Sequence, residues 1–255
     1  MQFREYGADR KDTILLLHGG GLSWWNYREA AALLQGEFRV ILPILDGHAG
    51  SDRPFTTIEE NAAGIIRFID EQLGGSVLLI GGLSLGGQVL LEMLSQRKNL
   101  CACALVESAA VIPSGLTNAL IAPTFGASYG LIRSRSFAKM QFQSLHIKPE
   151  LFEEYYRDTC QIKKQDMIAF MKANTSYALK ESFCDTAAQV HVFVGAKETG
   201  EILRSADAII RARPACRLHR MPGLRHGEFS LNHATLYADA IRQIVCSGAE
   251  DTYTG

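Results

Sequence analysis

Val77-Leu78-Leu79-Ile80-Gly81-Gly82-Leu83-Ser84-Leu85-Gly86-Gly87-Gln88-Val89-Leu90-Leu91-Glu92-Met93-Leu94 sets an apolar run, a glycine-flanked serine and a helical pattern in immediate succession. That order predicts a strand, a sharp turn and a helix, and Gly82-Leu83-Ser84-Leu85-Gly86 fits G-x-S-x-G, the sequence of a nucleophile elbow. The glycines have a mechanical reason to be there. A tight turn holds the serine in strained backbone geometry, and a side chain at position 82 or 86 would collide with neighbouring backbone. Gly87 adds a small residue where the helix must pack close to the sheet. A glycine- and serine-rich loop can match the pentapeptide by accident, so the weight of the reading lies on its flanks.

Two further segments complete the constellation. Upstream, Thr13-Ile14-Leu15-Leu16-Leu17 reads as a buried strand running into His18-Gly19-Gly20-Gly21, whose backbone N–H groups can point at an anion because little side chain stands in the way. Downstream, Cys216-Arg217-Leu218-His219-Arg220-Met221 reads as a strand followed by Pro222-Gly223-Leu224-Arg225-His226-Gly227, with His226 on a loop before the last helix.

With these motifs the chain resembles the α/β-hydrolase superfamily from Leu15 to about Val245. The matching stretches are His18-Gly19-Gly20-Gly21, the turn Asp46-Gly47-His48-Ala49-Gly50-Ser51, the elbow at Ser84, Gly195-Ala196-Lys197-Glu198 after a late strand, and His226-Gly227. The turn departs from the commoner G-H-G-x-S, and Glu198 stands where the family more often has Asp. The likeness is greatest to small esterases and lipases with a helical cap. It implies an α/β fold: a mostly parallel central sheet flanked by helices, with an all-helical cap inserted. Ser84 separates the chain from the dehalogenase and epoxide hydrolase branches, which carry Asp at the elbow.

Composition is compatible with this. The 255 residues, 47% of them hydrophobic, suffice for one large α/β domain. A formal net charge of −1 gives no electrostatic reason to expect nucleic acid or an anionic membrane as partner, which favours a small-molecule substrate. Met1 to Gly7 lacks the pattern of a signal peptide and no apolar stretch reaches the ~18 residues of a membrane span, so a cytoplasmic protein with no membrane span is expected. The six cysteines show no metal-ligand spacing and read as free thiols.

Along the chain, Trp24 to Gln35 has helical spacing and Phe38 to Leu42 reads as the next strand. Thr57-Ile58-Glu59-Glu60 is a capping box opening a helix that stops at Gly74-Gly75. Leu100 to Glu107 reads as a further strand. Strand-helix alternation then lapses until Val190. Residues 112–186 contain three helical patterns: Ser128 to Phe142, one starting at Pro149 with Leu151, Phe152, Tyr155 and Tyr156 on one face, and one holding Met167, Ile168, Phe170 and Met171. This predicts a core of residues 1–111 and 187–255 with a cap, 112–186, inserted after the strand ending near Glu107 and roofing the carboxyl ends of the strands. A helix from Asn232 to Cys246 closes the chain, and Ser247 to Gly255 reads as a loosely ordered tail.

A serine hydroxyl needs a base within reach and donors for the charge that develops on the carbonyl oxygen. His226 is the expected base, and the N–H groups of Leu85 and Gly20 the expected oxyanion hole, with Gly21 the alternative. Glu198 is the expected acid because the superfamily usually carries it after that strand, and Glu107 is its rival, at the position some superfamily lipases use. Gly21, Trp24 and Tyr155 are the expected pocket residues. His18 and His48 read as tying down loop backbone. His146, His191, His219 and His233 read as structural or surface residues, and no metal is expected. The implied activity is hydrolysis of a carboxylic ester or related acyl bond through an acyl-enzyme, without a cofactor. C–C bond hydrolysis or lyase chemistry with the same triad, and a non-catalytic ligand receptor on this fold, are the alternatives.

Overall fold

The computed structural model describes residues 1–251, and among them seven strands share one sheet. They are β1 (Phe3–Tyr6), β2 (Thr13–Leu17), β3 (Arg39–Pro43), β4 (Val77–Leu83), β5 (Cys101–Glu107), β6 (Gln189–Gly195) and β7 (Arg217–Met221). Their spatial order is β1-β3-β2-β4-β5-β6-β7, with β1 antiparallel to β3 and the other pairs parallel. Central strands buried on both faces need apolar residues without alternation, which is why β2, β3 and β4 read as continuous hydrophobic runs.

Helices cover both faces. One side carries α2 (Ile58–Gln72), α3 (Leu85–Gln96) and α8 (Gly200–Ala212), packed with Leu15, Leu17, Ile41 and Ile80; the other carries α1 (Arg28–Leu34) and α10 (Ala234–Asp251), packed with Ile14, Leu16, Val40 and Leu79. The Thr57 half of the expected capping box forms at the start of α2, Thr57 Oγ1 accepting from the Glu60 N–H at 3.1 Å. The short α9 (Glu228–Asn232) precedes α10.

The topology gathers the chemistry. β3 lies on one side of β2 and β4 on the other, so the chain reverses its direction of addition between β2 and β4, and in open α/β sheets ligands bind at such a switch point. Leu17 pairs with Gly82, Leu83 with Glu107, Glu107 with Phe193 and Gly195 with Met221, so the carboxyl ends of five strands finish side by side.

Between β5 and β6 the chain is helical: α4 (Gly115–Ser128), α5 (Arg135–Ser144), α6 (Phe152–Thr159) and α7 (Lys164–Ser176), with 3-10 turns at Tyr129–Arg133, Pro149–Leu151 and Glu181–Asp185. Buried and half-buried polar latches hold it down. Trp25 Nε1 donates to Asp158 Oδ2 at 2.8 Å, the Phe55 N–H to Asp166 Oδ1 at 2.9 Å, and Gln88 and Asn174 bond reciprocally. Two expectations need correction here, and two elements were not expected. No single helix spans Ser128 to Phe142, because Ser134 is extended (ψ 115) and separates the Tyr129–Arg133 turn from α5. Helix α4, with Pro123 inside it and glycines at both ends, lacks the apolar stripe that would announce it. At the C-terminus, α10 continues to Asp251, so Ser247 to Asp251 are helical; residues 252–255 of the expected tail lie outside the described residues. Strand β1 was not expected either, since it is mostly exposed and shows no buried alternation.

The tightest backbone approach is where the turn after β4 meets the end of β2. A Cβ at Gly86 would lie 2.1 Å from the Leu17 carbonyl oxygen, and one at Gly82 2.4 Å from the Gly86 oxygen. Gly86→Ala is therefore expected to cost at least about 2 kcal/mol and lower Tm by roughly 4 to 8 °C in thermal denaturation. Gly36→Ala, where an added Cβ meets nothing within 4 Å, should stay within about 1 °C of wild type.

Candidate active site

Ser84 sits between β4 and α3 with φ 52° and ψ −112°, a left-handed conformation that costs a non-glycine residue on the order of 1–3 kcal/mol. Its N–H donates to the Glu107 carbonyl at 2.8 Å and its carbonyl accepts from the Gln88 N–H at 2.9 Å. These bonds hold the strained turn. The next residue, Leu85, opens α3, so its N–H has no intrahelical partner.

His226 stands on the loop after β7 and Glu198 on the loop after β6. Both Glu198 oxygens lie 3.2 Å from His226 Nδ1, and Ser108 Oγ donates to Oε1 at 2.5 Å. The Glu198 side chain is 1% exposed, so it is no solvated surface charge. Burial disfavours the imidazolium, but the hydrogen bond and charge of Glu198, with the charge of Glu107, outweigh it and raise the His226 pKa above its ordinary value. With Nδ1 committed to Glu198, Nε2 is left for a reacting group.

Glu107 is also buried, with a different environment. Its Oε1 accepts from the Ser230 N–H at 3.2 Å, while Oε2 has no partner. Burial pushes its pKa up to about 7, against the pull of Ser230 and His226 and with the help of the Glu198 charge. Of the two carboxylates that the sequence offers, Glu198 is the one hydrogen-bonded to His226.

The glycine loop after β2 is held from both sides. The Gly19 N–H donates to Asn26 Oδ1 at 3.3 Å and the Gly21 N–H to His48 Nε2 at 3.1 Å, so Gly20 carries the loop's uncommitted N–H. His18 Nε2 accepts from the Leu45 N–H at 3.1 Å and its Nδ1 lies 2.9 Å from the Gly19 oxygen; His48 Nδ1 lies 3.1 Å from the Asp46 oxygen. Both rings clamp loop backbone as neutral tautomers. Burial lowers their pKa values to about 3 and about 4.

These groups share one cavity of about 550 Å³, whose lining includes Gly20, Ser84, Leu85, Glu198 and His226. The sequence model of the alpha/beta hydrolase family matches residues 14–240. The chain belongs to the alpha/beta hydrolase family. Solved structures agree in fold. A thermophilic esterase from Thermogutta terrifontis is 19% identical, with 97% of this chain and 93% of that one covered at a TM-score of 0.80. An esterase from Exiguobacterium antarcticum is 18% identical, with 95% and 94% covered at 0.80. The enol-lactonase from Burkholderia xenovorans is 15% identical, with 96% of each chain covered at 0.81.

In this family member the helices and 3-10 turns between β5 and β6 supply much of the cavity lining, including Phe125, Ile132, Met167, Phe170 and Met171. Gly21 and Tyr155 also line it. Trp24 does not: the 3-10 turn Trp24–Tyr27 turns Trp25 into the core at 1% exposure and leaves Trp24 stacked under the Arg4 guanidinium at 5.4 Å. Sequence reasoning missed Ser108 and Asn26. The only signal for Ser108 is its place just past β5, level with the β6 loop. Among the described residues no three His, Cys, Asp or Glu side chains come together as metal ligands, and no helix is long and apolar enough to cross a membrane.

Two pH responses are expected. A ring titration of His226 by NMR should give a midpoint above about 6.5 in wild type and a lower one in Glu198→Gln. The matching stability from imidazolium pairing is fully present below that ordinary value and lost as pH rises through the raised one. Glu107 has the opposite sense. Its raised pKa means that stability is lost as pH climbs from about 4.5 past 7, so Glu107→Gln should gain at least about 1 kcal/mol over wild type in urea melts at pH 8 and lose that advantage near pH 4.5.

Proposed function

We propose that the chain is a serine hydrolase of small carboxylic esters or related acyl bonds, working through an acyl-enzyme. The observation that carries this reading is the pairing of His226 Nδ1 with the buried Glu198 carboxylate on the wall of the cavity that Ser84 and Gly20 also line.

Ser84 Oγ attacks the ester carbonyl carbon while His226 Nε2 takes the hydroxyl proton. The carbonyl electron pair moves onto its oxygen, which the N–H groups of Gly20 and Leu85 receive as oxyanion hole. Collapse breaks the bond to the alcohol oxygen, and His226 returns the proton to that leaving group. Water then repeats the sequence on the acyl-enzyme, losing its proton to His226, and the acid departs as Ser84 regains its hydrogen. Glu198, held by Ser108, fixes the tautomer and stabilises each imidazolium. Apart from the ester and the water that attacks the acyl-enzyme, the groups used in this scheme are side chains and backbone amides of the chain. Residues 112–186 act as a cap over a core of 1–111 and 187–255, and their apolar side chains make the cavity an acyl pocket.

Kinetics with short-chain para-nitrophenyl esters test the reading. Ser84→Ala should lose on the order of 10⁴ to 10⁶ in kcat with an unchanged circular dichroism spectrum. Glu198→Gln should lose about 10⁴, and Glu107→Gln far less. Wild-type turnover in Ser84→Ala, binding without turnover in wild type, or the reverse ranking of the two Glu variants would contradict it. Tyr155→Ala should shift the preferred acyl length, whereas equal losses on every ester would mean that Tyr155 only packs.

A further inference from the structure

The loops after β6 and β7 lie against each other with unusual closeness. A Cβ at Gly195 would stand 2.3 Å from the Leu224 carbonyl oxygen, and that oxygen accepts from the Lys197 N–H at 2.9 Å. The backbone therefore sets Lys197, the residue before Glu198, beside Arg225, the residue before His226. Both side chains are exposed and both line the cavity.

Neither cation has an ion pair or side-chain hydrogen bond among the described residues. The Glu228 carboxylate next to Arg225 is engaged with the Arg225 backbone N–H at 2.6 Å. Apart from histidine, the charged residues of the cavity lining are Lys197, Arg225 and Glu198, and Glu198 is committed to His226 and Ser108. Both cations thus border the cavity with no carboxylate of the described residues paired to either side chain, which leaves them available to an anionic group of a substrate.

Position says which part of a substrate meets them. In the proposed reaction His226 gives its proton to the leaving alcohol, so the residue beside it faces the alcohol portion, while the acyl portion points at Phe125, Ile132, Met167, Phe170 and Met171. We propose, on the basis of the ester-hydrolase reading, that the substrate is an ester of an apolar acid whose alcohol portion bears a carboxylate, held between Lys197 and Arg225. The guanidinium matches a carboxylate with two parallel N–H groups and the ammonium adds a second, freely rotating donor set.

The test compares para-carboxyphenyl butyrate with para-carbamoylphenyl butyrate, which matches it in shape without the charge. The amide is the better leaving group, so any preference for the carboxylate reports recognition. Wild type should favour the carboxylate in kcat/KM by roughly 5- to 10-fold at low ionic strength, and added salt should shrink that ratio. The ratio should fall to one or below in the double variant Lys197→Gln, Arg225→Gln. A wild-type ratio near one, or a ratio that the double variant leaves unmoved, overturns the proposal; if the amide ester is still hydrolysed in a Ser84-dependent way, the hydrolase reading stands without it. Calorimetry with the alcohol products reads the same preference without turnover. Tighter binding of para-hydroxybenzoate than para-hydroxybenzamide, lost in the double variant, supports the clamp even if neither ester is cleaved, and equal binding overturns it.

Discussion

The contact between Gly86 and the carbonyl of Leu17 is the constraint on which the rest depends. It lets the start of α3 press against the end of β2, so that the N–H of Leu85 and the glycine loop that follows Leu17 share one wall of the cavity. A methyl group at that point would push the helix away from the strand. The strain at Ser84 belongs to the same arrangement: the turn has no room to relax, and its backbone bonds to Glu107 and Gln88 hold it in the left-handed region. Around it, buried rings do structural work. His18 and His48 are kept neutral by burial and spend both nitrogens on loop backbone, which positions Gly20 and its neighbours without adding charge.

Two buried glutamates near one histidine pose an electrostatic problem, and their environments divide the labour. Glu198 receives the Ser108 hydroxyl and faces His226 Nδ1, so its charge is compensated. Glu107 has one backbone N–H and an unpartnered oxygen, and burial moves it toward the neutral acid around pH 7. A second full negative charge beside Glu198 is thereby relieved near neutrality. This division is consistent with Glu198 as the residue that orients the imidazole and with Glu107 as a buried packing group beneath it.

The parallel sheet and its helices were legible because doubly covered strands leave uninterrupted apolar runs, as in Leu15 to Leu17 and Val77 to Ile80. Ser84, Glu198 and His226 could be singled out because each follows a strand with turn residues around it, and strand ends are where a parallel sheet collects side chains. Local pattern failed where burial was absent or shared. The mostly exposed β1 has no run of buried residues to announce it, although Glu5 pairs with Arg39 across to β3, and α4 has no single apolar face. Trp24 and Trp25 are equivalent in local sequence pattern, and what distinguishes them is tertiary: Trp25 packs in the core and bonds to Asp158, 133 positions away. Ser108 was invisible for the same reason. Its partner Glu198 lies 90 residues downstream, and its positive φ has no sequence signature.

The account stands on Ser84 being the reactive nucleophile of the cavity, and covalent labelling tests that most directly. After reaction with a fluorophosphonate, intact-mass analysis should show one adduct per chain, and peptide mapping should place it on Ser84. Prior replacement of His226 by Ala should slow labelling by orders of magnitude, since the serine loses its base. An adduct on any other residue, or no adduct on folded protein, would contradict the account.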